Sequence, residues 1–287
     1  MRKTVNFVFR WLLLDFFFIT AAAMLLVRVA GLDRYLGTML AAAAGAGLVY
    51  LCTFRKHPVA PFASGRKKMT FRNLILFLGL IFLSQYPAVF VKALAEALGI
   101  RGVEIDFGNM TVFLAVYAVA AAPFIEELMY RGFAAGNLRR KNTLLSVLLS
   151  ALAFGLMHRN LCQFVFAFPV GMILGYVYSE YSIWWTVLLH GINNALSTVQ
   201  MACMEAGGYR LVFVFVLSQG VTVLAILALV NLIRRRRELG EWFSRPGVCP
   251  EKEELREAFT APWLIVYTVF FTALIIFYMV FPEYLNR

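Results

Sequence analysis

The chain has 287 residues, of which 61% are hydrophobic and only 15% charged, and its mean hydropathy is +0.75. Soluble domains average about 25% charged residues, so an aqueous globular core is excluded and an all-α, polytopic membrane helix bundle is expected. The net charge of +11 and pI of 9.7 do not mark a nucleic-acid partner, because the basic residues follow the alternation of sides that a membrane imposes.

Apolar runs near spanning length cover 11–30, 36–54, 72–91, 110–130, 143–158, 160–179, 182–203, 210–233 and 261–281, which predicts eight or nine transmembrane helices in a single bundle over 1–287. The first run follows Arg2, Lys3 and Arg10 and contains Ala21-Ala22-Ala23, a signal-peptide-like pattern. It continues through Leu25, Leu26 and Val27, so it is read as a retained span. With the N-terminus inside, 20 of the 27 Lys and Arg residues fall on the cytoplasmic side, in the N-terminus, 55–72, 131–142 and 234–260. The opposite side holds Arg28, Arg34, Lys92, Arg101, Arg159, Arg210 and Arg287. Attraction to anionic lipid is a secondary consequence of this bias.

Within the connections, "EKEELREAF" (251–259) has helical spacing and mixed charge, which predicts a surface-lying helix. Gly171 and Gly175 recur at four-residue spacing, which lets a neighbouring helix come close. Trp184-Trp185 fits an interfacial aromatic belt. Cys52, Cys162, Cys203 and Cys249 are scattered without a CxxC pair, so neither a disulfide framework nor a cysteine zinc site is indicated.

The informative anomaly is "PFIEELMYRG" (123–132), which sets Glu126 and Glu127 at the end of an apolar run. An acidic residue in mid-membrane costs roughly 2.5–3.5 kcal/mol and is usually kept for pairing, proton handling or chemistry. Arg131 lies four residues after Glu127, in the preferred acid-before-base order. Two histidines also sit in spans: "FGLMH" ends at His158 and "HGINN" begins at His190, with Asn194 on the same helical face. His57, in the basic loop, is read as solvated.

Each of these residues has a plain structural reading: a span histidine bonds a neighbouring helix, a Glu–Arg pair neutralises itself, an asparagine glues helices together. Within 69 residues, six such separate explanations are needed, which favours one shared site. If 110–130 and 143–158 form a hairpin turning at Lys141, Glu126 and His158 differ in depth by about 3 Å. His190 lies ten residues past the turn at Glu180, so that turn must sit deep or the helices must tilt.

"EELMYR" (126–131), "FGLMH" (154–158) and "HGINN" (190–194) match the motifs EExxxR, FxxxH and HxxxN in order. The chain thereby resembles the CPBP family of intramembrane proteases, the CAAX protease and bacteriocin-processing group that includes type II CAAX prenyl endopeptidases. The resemblance covers a catalytic core at about 110–203; the flanks 1–109 and 204–287 match only as generic spans. It implies a peptidase acting on a membrane-associated, prenylated or hydrophobic peptide in the lipid bilayer. It implies that Glu126 and His158 activate water and that His190 and Asn194 stabilise the oxyanion. Glu127, Arg131 and Phe154 would support them. A multi-pass protein of a bacterial or archaeal cell membrane, with a cytoplasmic N-terminus, is expected.

A zinc site built from Glu126, His158 and His190 is the alternative to a metal-free site, although the HExxH helix is absent. Two other function classes stand beside the peptidase. A non-catalytic binding, immunity or scaffold protein of the same family has no need of both Glu126 and His158. A proton-coupled transporter predicts broken helices in two related halves, and no such repeat is seen.

Overall fold

The structure is a computed structural model and describes residues 1–54, 58, 60, 62, 67–100 and 111–281. Arg55, Lys56, His57, Arg66, Arg101 and Arg287, assigned to sides above, lie outside the described residues. The described residues are helical and contain no strand.

Eight helices form the main body in chain order: α1 Arg2–Val29, α2 Arg34–Thr53, α3 Phe71–Ala97, α4 Val112–Arg139, α5 Thr143–Leu156, α6 Leu161–Glu180, α7 Ile183–Ala206 and α8 Arg210–Arg234. Two short helices, α9 Arg236–Phe243 and α10 Lys252–Phe259, precede the last long one, α11 Pro262–Val280. Asp33, Asn142 and Asn160 cap α2, α5 and α6 with side-chain oxygens that accept first-turn N–H groups. In α10, Glu251 and Glu254 form a capping box.

Among the described residues, seven helices are long and apolar enough to cross a membrane. The remaining two predicted spans fall short for different reasons. Helix α5 has only 14 residues, a rise of about 21 Å. Helix α7 has 24 residues but carries His190, Asn193 and Asn194 among its apolar ones. The protein is a multi-pass membrane bundle in which α5 is buried along most of its length, while α7 buries one face and leaves Trp184, Leu188, Val199 and Met204 exposed.

Two apolar cores build the bundle. One joins α1, the C-terminal half of α4, α5 and α11 through residues such as Phe9, Phe133, Leu149 and Phe271. The other joins α3, α6, α7 and α8 through Phe77, Leu174, Leu189 and Val221. Helices α5 and α6 meet very closely between them: a Cβ on Gly171 would lie 2.9 Å from Ala151 Cα, and one on Gly175 3.3 Å from Val147 Cα. The glycine spacing thus does what the sequence suggested.

The basic connections gather at one end of the bundle. The Met1 amino group pairs with Glu257 at 2.9 Å, and Asn142 Nδ2 donates to Glu254 at 3.4 Å. Thr143 and Leu144 N–H groups donate to the Gly247 and Val248 carbonyls, both at 3.1 Å. Glu180 receives Lys67 Nζ at 3.0 Å, Arg245 Nη1 at 2.9 Å and Trp242 Nε1 at 3.0 Å, while Lys67 N–H donates to its carbonyl at 2.8 Å. Arg140 Nη2 donates to the Pro58 carbonyl. The turn after α6 is therefore buried beneath the 236–248 strap, with Ser179, Glu180 and Tyr181 all at 5% exposure or less.

Helix α4 continues well past its apolar run to Arg139, so Arg131 is not a loop residue of a 131–142 connection. It is fully buried, at 0% exposure. All four cysteines are free.

Candidate active site

The two glutamates stand in a helix whose winding changes around them. Helix α4 is π-wound over Tyr117–Ala121, α-wound over Ala122–Glu127 and π-wound again over Leu128–Ala135. Pro123 opens the α-wound piece, where it brings no N–H. A π turn winds more slowly than an α turn and commonly marks a functional segment. Tyr50, from α2, donates its hydroxyl to the Leu128 carbonyl at 2.9 Å, where the second π segment starts.

The neighbouring carboxylates face different surroundings. The Glu127 side chain is 0% exposed and the Glu126 side chain 19% exposed. Glu127 Oε1 accepts from Arg131 Nη1 at 2.9 Å and from His190 Nδ1 at 3.0 Å. Glu126 Oε2 lies 3.9 Å from His190 Nε2. His190 is thus placed between the two carboxylates, one ring nitrogen towards each.

Arg131 brings a positive charge to the group. Its Nη2 donates to the Gly171 carbonyl of α6 at 3.3 Å, and its guanidinium lies 4.6 Å from the centre of the Phe154 ring. Arg131 Nε has no hydrogen-bond partner. A buried guanidinium is tolerated in an apolar interior when a carboxylate and further acceptors surround it, as here.

Phe154 is the hub on the α5 side. Besides Arg131, its ring meets His158 edge-on at 5.0 Å and 84°, His190 edge-on at 5.6 Å and 87°, and Tyr130 at 5.5 Å. His158 joins the group through this ring. Its Nδ1 is 2.8 Å from the Phe154 carbonyl; a carbonyl only accepts, so the proton sits on Nδ1 and the lone pair on Nε2. Arg159, the next residue, has φ of 56° and ends α5 with a left-handed step, a conformation uncommon outside glycine.

Asn194 extends the site along α7. Its Nδ2 donates to the Ala118 carbonyl at 2.9 Å, and its Oδ1 accepts from Asn193 Nδ2 at 3.2 Å. One N–H of the Asn194 amide is therefore spent on α4, leaving the second.

Six of the seven residues singled out from the motifs thus lie in one contact network, and Asn194 stands one helical turn along α7 from its member His190. Sequence reasoning did not anticipate the Glu127–His190 bond, the Gly171 carbonyl under Arg131, the Tyr50 strut or the Ala118 carbonyl under Asn194. Two of those partners are backbone carbonyls, which no residue type announces. For the Tyr50 strut, an apolar-span tyrosine is the only signal available, and a weak one. Among the described residues, no group of three His, Cys, Asp or Glu side chains is gathered to hold a metal ion.

Residues 108–196 match a family model described as Type II CAAX prenyl endopeptidase Rce1-like. All three motifs lie inside that segment, about a third of the chain, and the match agrees with the family that the motifs resemble. No curated protein matches the chain, and no solved structure does.

Proposed function

We propose that this protein is an intramembrane endopeptidase that hydrolyses a peptide bond of a membrane-associated, prenylated or otherwise hydrophobic peptide. The observation that carries this reading is the division of labour between the paired glutamates. One is enclosed and bonded to both Arg131 and His190, and the other is partly accessible and faces the same imidazole. The match of 108–196 to a peptidase family supports the same reading.

In the proposed reaction a water molecule beside Glu126 attacks the scissile carbonyl carbon as it gives up a proton. Glu126 and the free lone pair on His158 Nε2 are the acceptors for that proton. Protonated on both nitrogens, His190 keeps its Nδ1–H on Glu127 and offers Nε2–H to the developing oxyanion, together with the second N–H of Asn194. Return of the proton to the nitrogen lets the C–N bond break, giving a carboxylic acid and an amine, which settle as carboxylate and ammonium, for one water consumed. No step calls for a metal, and the donor set among the described residues offers no three-residue cage for one. We place the N-terminus and the basic end of the bundle in the cytoplasm, on the bias of Lys and Arg towards that end.

The test compares membranes containing the wild-type protein with membranes containing Glu126→Gln, by peptide mass spectrometry. A discrete set of hydrophobic peptides should accumulate uncleaved in the variant. Identical peptide profiles, with no hydrolysis by the purified wild-type protein in lipid, would reject the peptidase.

A further inference from the structure

The Ala118 carbonyl stands where the winding of α4 changes. In the first π segment the Ala122 N–H reaches the Tyr117 carbonyl, an i to i+5 step. The next N–H in that register would come from position 123, and position 123 is Pro. The i+4 donor, Ala122 N–H, is already turned to Tyr117. Helix α4 thus has no regular donor for the Ala118 carbonyl, and an unmet carbonyl is costly inside a bilayer. Helix α7 supplies one, Asn194 Nδ2 at 2.9 Å.

Neighbouring residues show that this bond belongs to a fitted contact. The following carbonyl, Val119, lies under Gly191, where a Cβ would approach to 3.2 Å. The absence of a side chain there lets α7 come close to the irregular stretch of α4. One residue earlier, His190 donates to Glu127 at 3.0 Å. His190, Gly191 and Asn194 therefore form one strip along α7 that meets α4 at a carboxylate and two successive carbonyls.

We infer that Pro123 and Asn194 are a matched pair of positioning residues. Pro123 ends the π turn and frees the Ala118 carbonyl. Asn194 takes hold of that carbonyl and thereby sets α7 so that His190 faces Glu126 and Glu127. The structural half of this inference is independent of hydrolysis, whereas its catalytic half rests on the peptidase reading above.

Four variants of the full chain in lipid nanodiscs test it: Asn194→Ala, Asn194→Asp, Pro123→Ala and Pro123→Ala/Asn194→Ala. The readouts are the apparent melting temperature and the imidazole 15N signals of the histidines. The chain has only three histidines, and His190 is assigned by its loss in His190→Gln. Asn194→Ala should lower the melting temperature by about 2–4 °C and move the His190 signal. At a pH where its carboxyl is ionised, Asn194→Asp keeps the shape but has no proton to give, so it should behave likewise there. In the double variant, Pro123→Ala restores a backbone N–H that can reach the Ala118 carbonyl. The His190 signal should then return towards its wild-type position, and the penalty at Asn194 should shrink by at least half.

Strictly additive losses, an unmoved His190 signal in Asn194→Ala, or wild-type behaviour of Asn194→Asp would each overturn the inference. If Asn194→Ala alone does not fold, recovery of a folded double variant is the same rescue, and its failure the same refutation. On a cleaved substrate, Pro123→Ala should restore the share of kcat that Asn194→Ala loses through the displaced His190, with KM unchanged, and should not restore the share that the missing oxyanion N–H accounts for. A residue whose only task was to bond the oxyanion would show no such restoration. Recovery of the His190 signal in a protein that hydrolyses nothing would leave the pair intact and remove the peptidase.

Discussion

At the scale of single residues, adjacency in sequence conceals opposite environments. Glu126 and Glu127 point about 100° apart on an α-wound segment, and the structure converts that angle into 19% against 0% exposure. Glu126→Gln should therefore abolish cleavage while the melting temperature stays near wild type. Near-normal turnover in that variant would remove Glu126 as the base. Glu127→Gln is expected to act differently, because it takes the charge from a carboxylate that holds both Arg131 and His190. Leaving a buried guanidinium without its counter-charge costs about 3–5 kcal/mol, so unfolding in detergent should begin at clearly lower temperature or denaturant. An unchanged unfolding midpoint in Glu127→Gln would show that Arg131 draws enough support from Gly171 and Phe154 alone. Metal removal probes the same residues from another side. Prolonged chelation should leave hydrolysis by the purified protein intact, and chelator-sensitive activity restored by added zinc would return Glu126, His158 and His190 to the role of ligands.

At the scale of elements, hydropathy made the bundle legible but not its winding. The runs read from the sequence lie within a few residues of most helix ends, because a bilayer demands about 20 apolar residues whatever the fold. Helix α4 runs on to Arg139 because its last turns pack against α5 and α1 rather than meeting water. The motif residues were legible as a group, since buried Glu, Arg and His need partners and only one another were available. Their pairing was not legible: nothing in the motif spacing says that Glu127 rather than Glu126 bonds His190, or that π turns flank the pair. The Gly171 contact gives an element-scale test. A methyl there would lie 2.9 Å from Ala151 Cα, so Gly171→Ala must part α5 from α6 and disturb the carbonyl that Arg131 uses. Overpacking of this kind costs about 1–3 kcal/mol. Gly47→Ala, where a Cβ meets nothing within 4 Å, is the matched control and should melt within about 1 °C of wild type. Equal melting of the two variants would mean that α5 and α6 are not held as closely as described.

At the scale of the molecule, the site occupies the seam between the two apolar cores, with Phe154 in one and Leu189, next to His190, in the other. The basic end is closed by a strap that Glu180 holds through three donors. Burial pulls the Lys67 ammonium down, but its bonds to Glu180 outweigh that and hold it above its usual range. A raised folded pKa means that the Lys67 contribution is complete at neutral pH and is lost only as pH climbs through the folded value. The strap should thus resist limited proteolysis at physiological pH, and Glu180→Gln should expose 244–251 to cleavage. Cys249, the residue after that strap, is exposed and free, and so reports the orientation of the whole protein. Its Sγ lies 3.2 Å from the Phe243 carbonyl, at the end where Met1, Asn142 and Glu180 are also tied down. With Cys52, Cys162 and Cys203 replaced by Ser, a membrane-impermeant maleimide should leave intact cells unlabelled and modify Cys249 once they are permeabilised. Because the described connections at this end are bonded to one another, they must share one side of the membrane. Labelling of Cys249 from outside intact cells would accordingly invert every loop at once, including the N-terminus, and would place the basic end against the direction that the positive-inside bias sets.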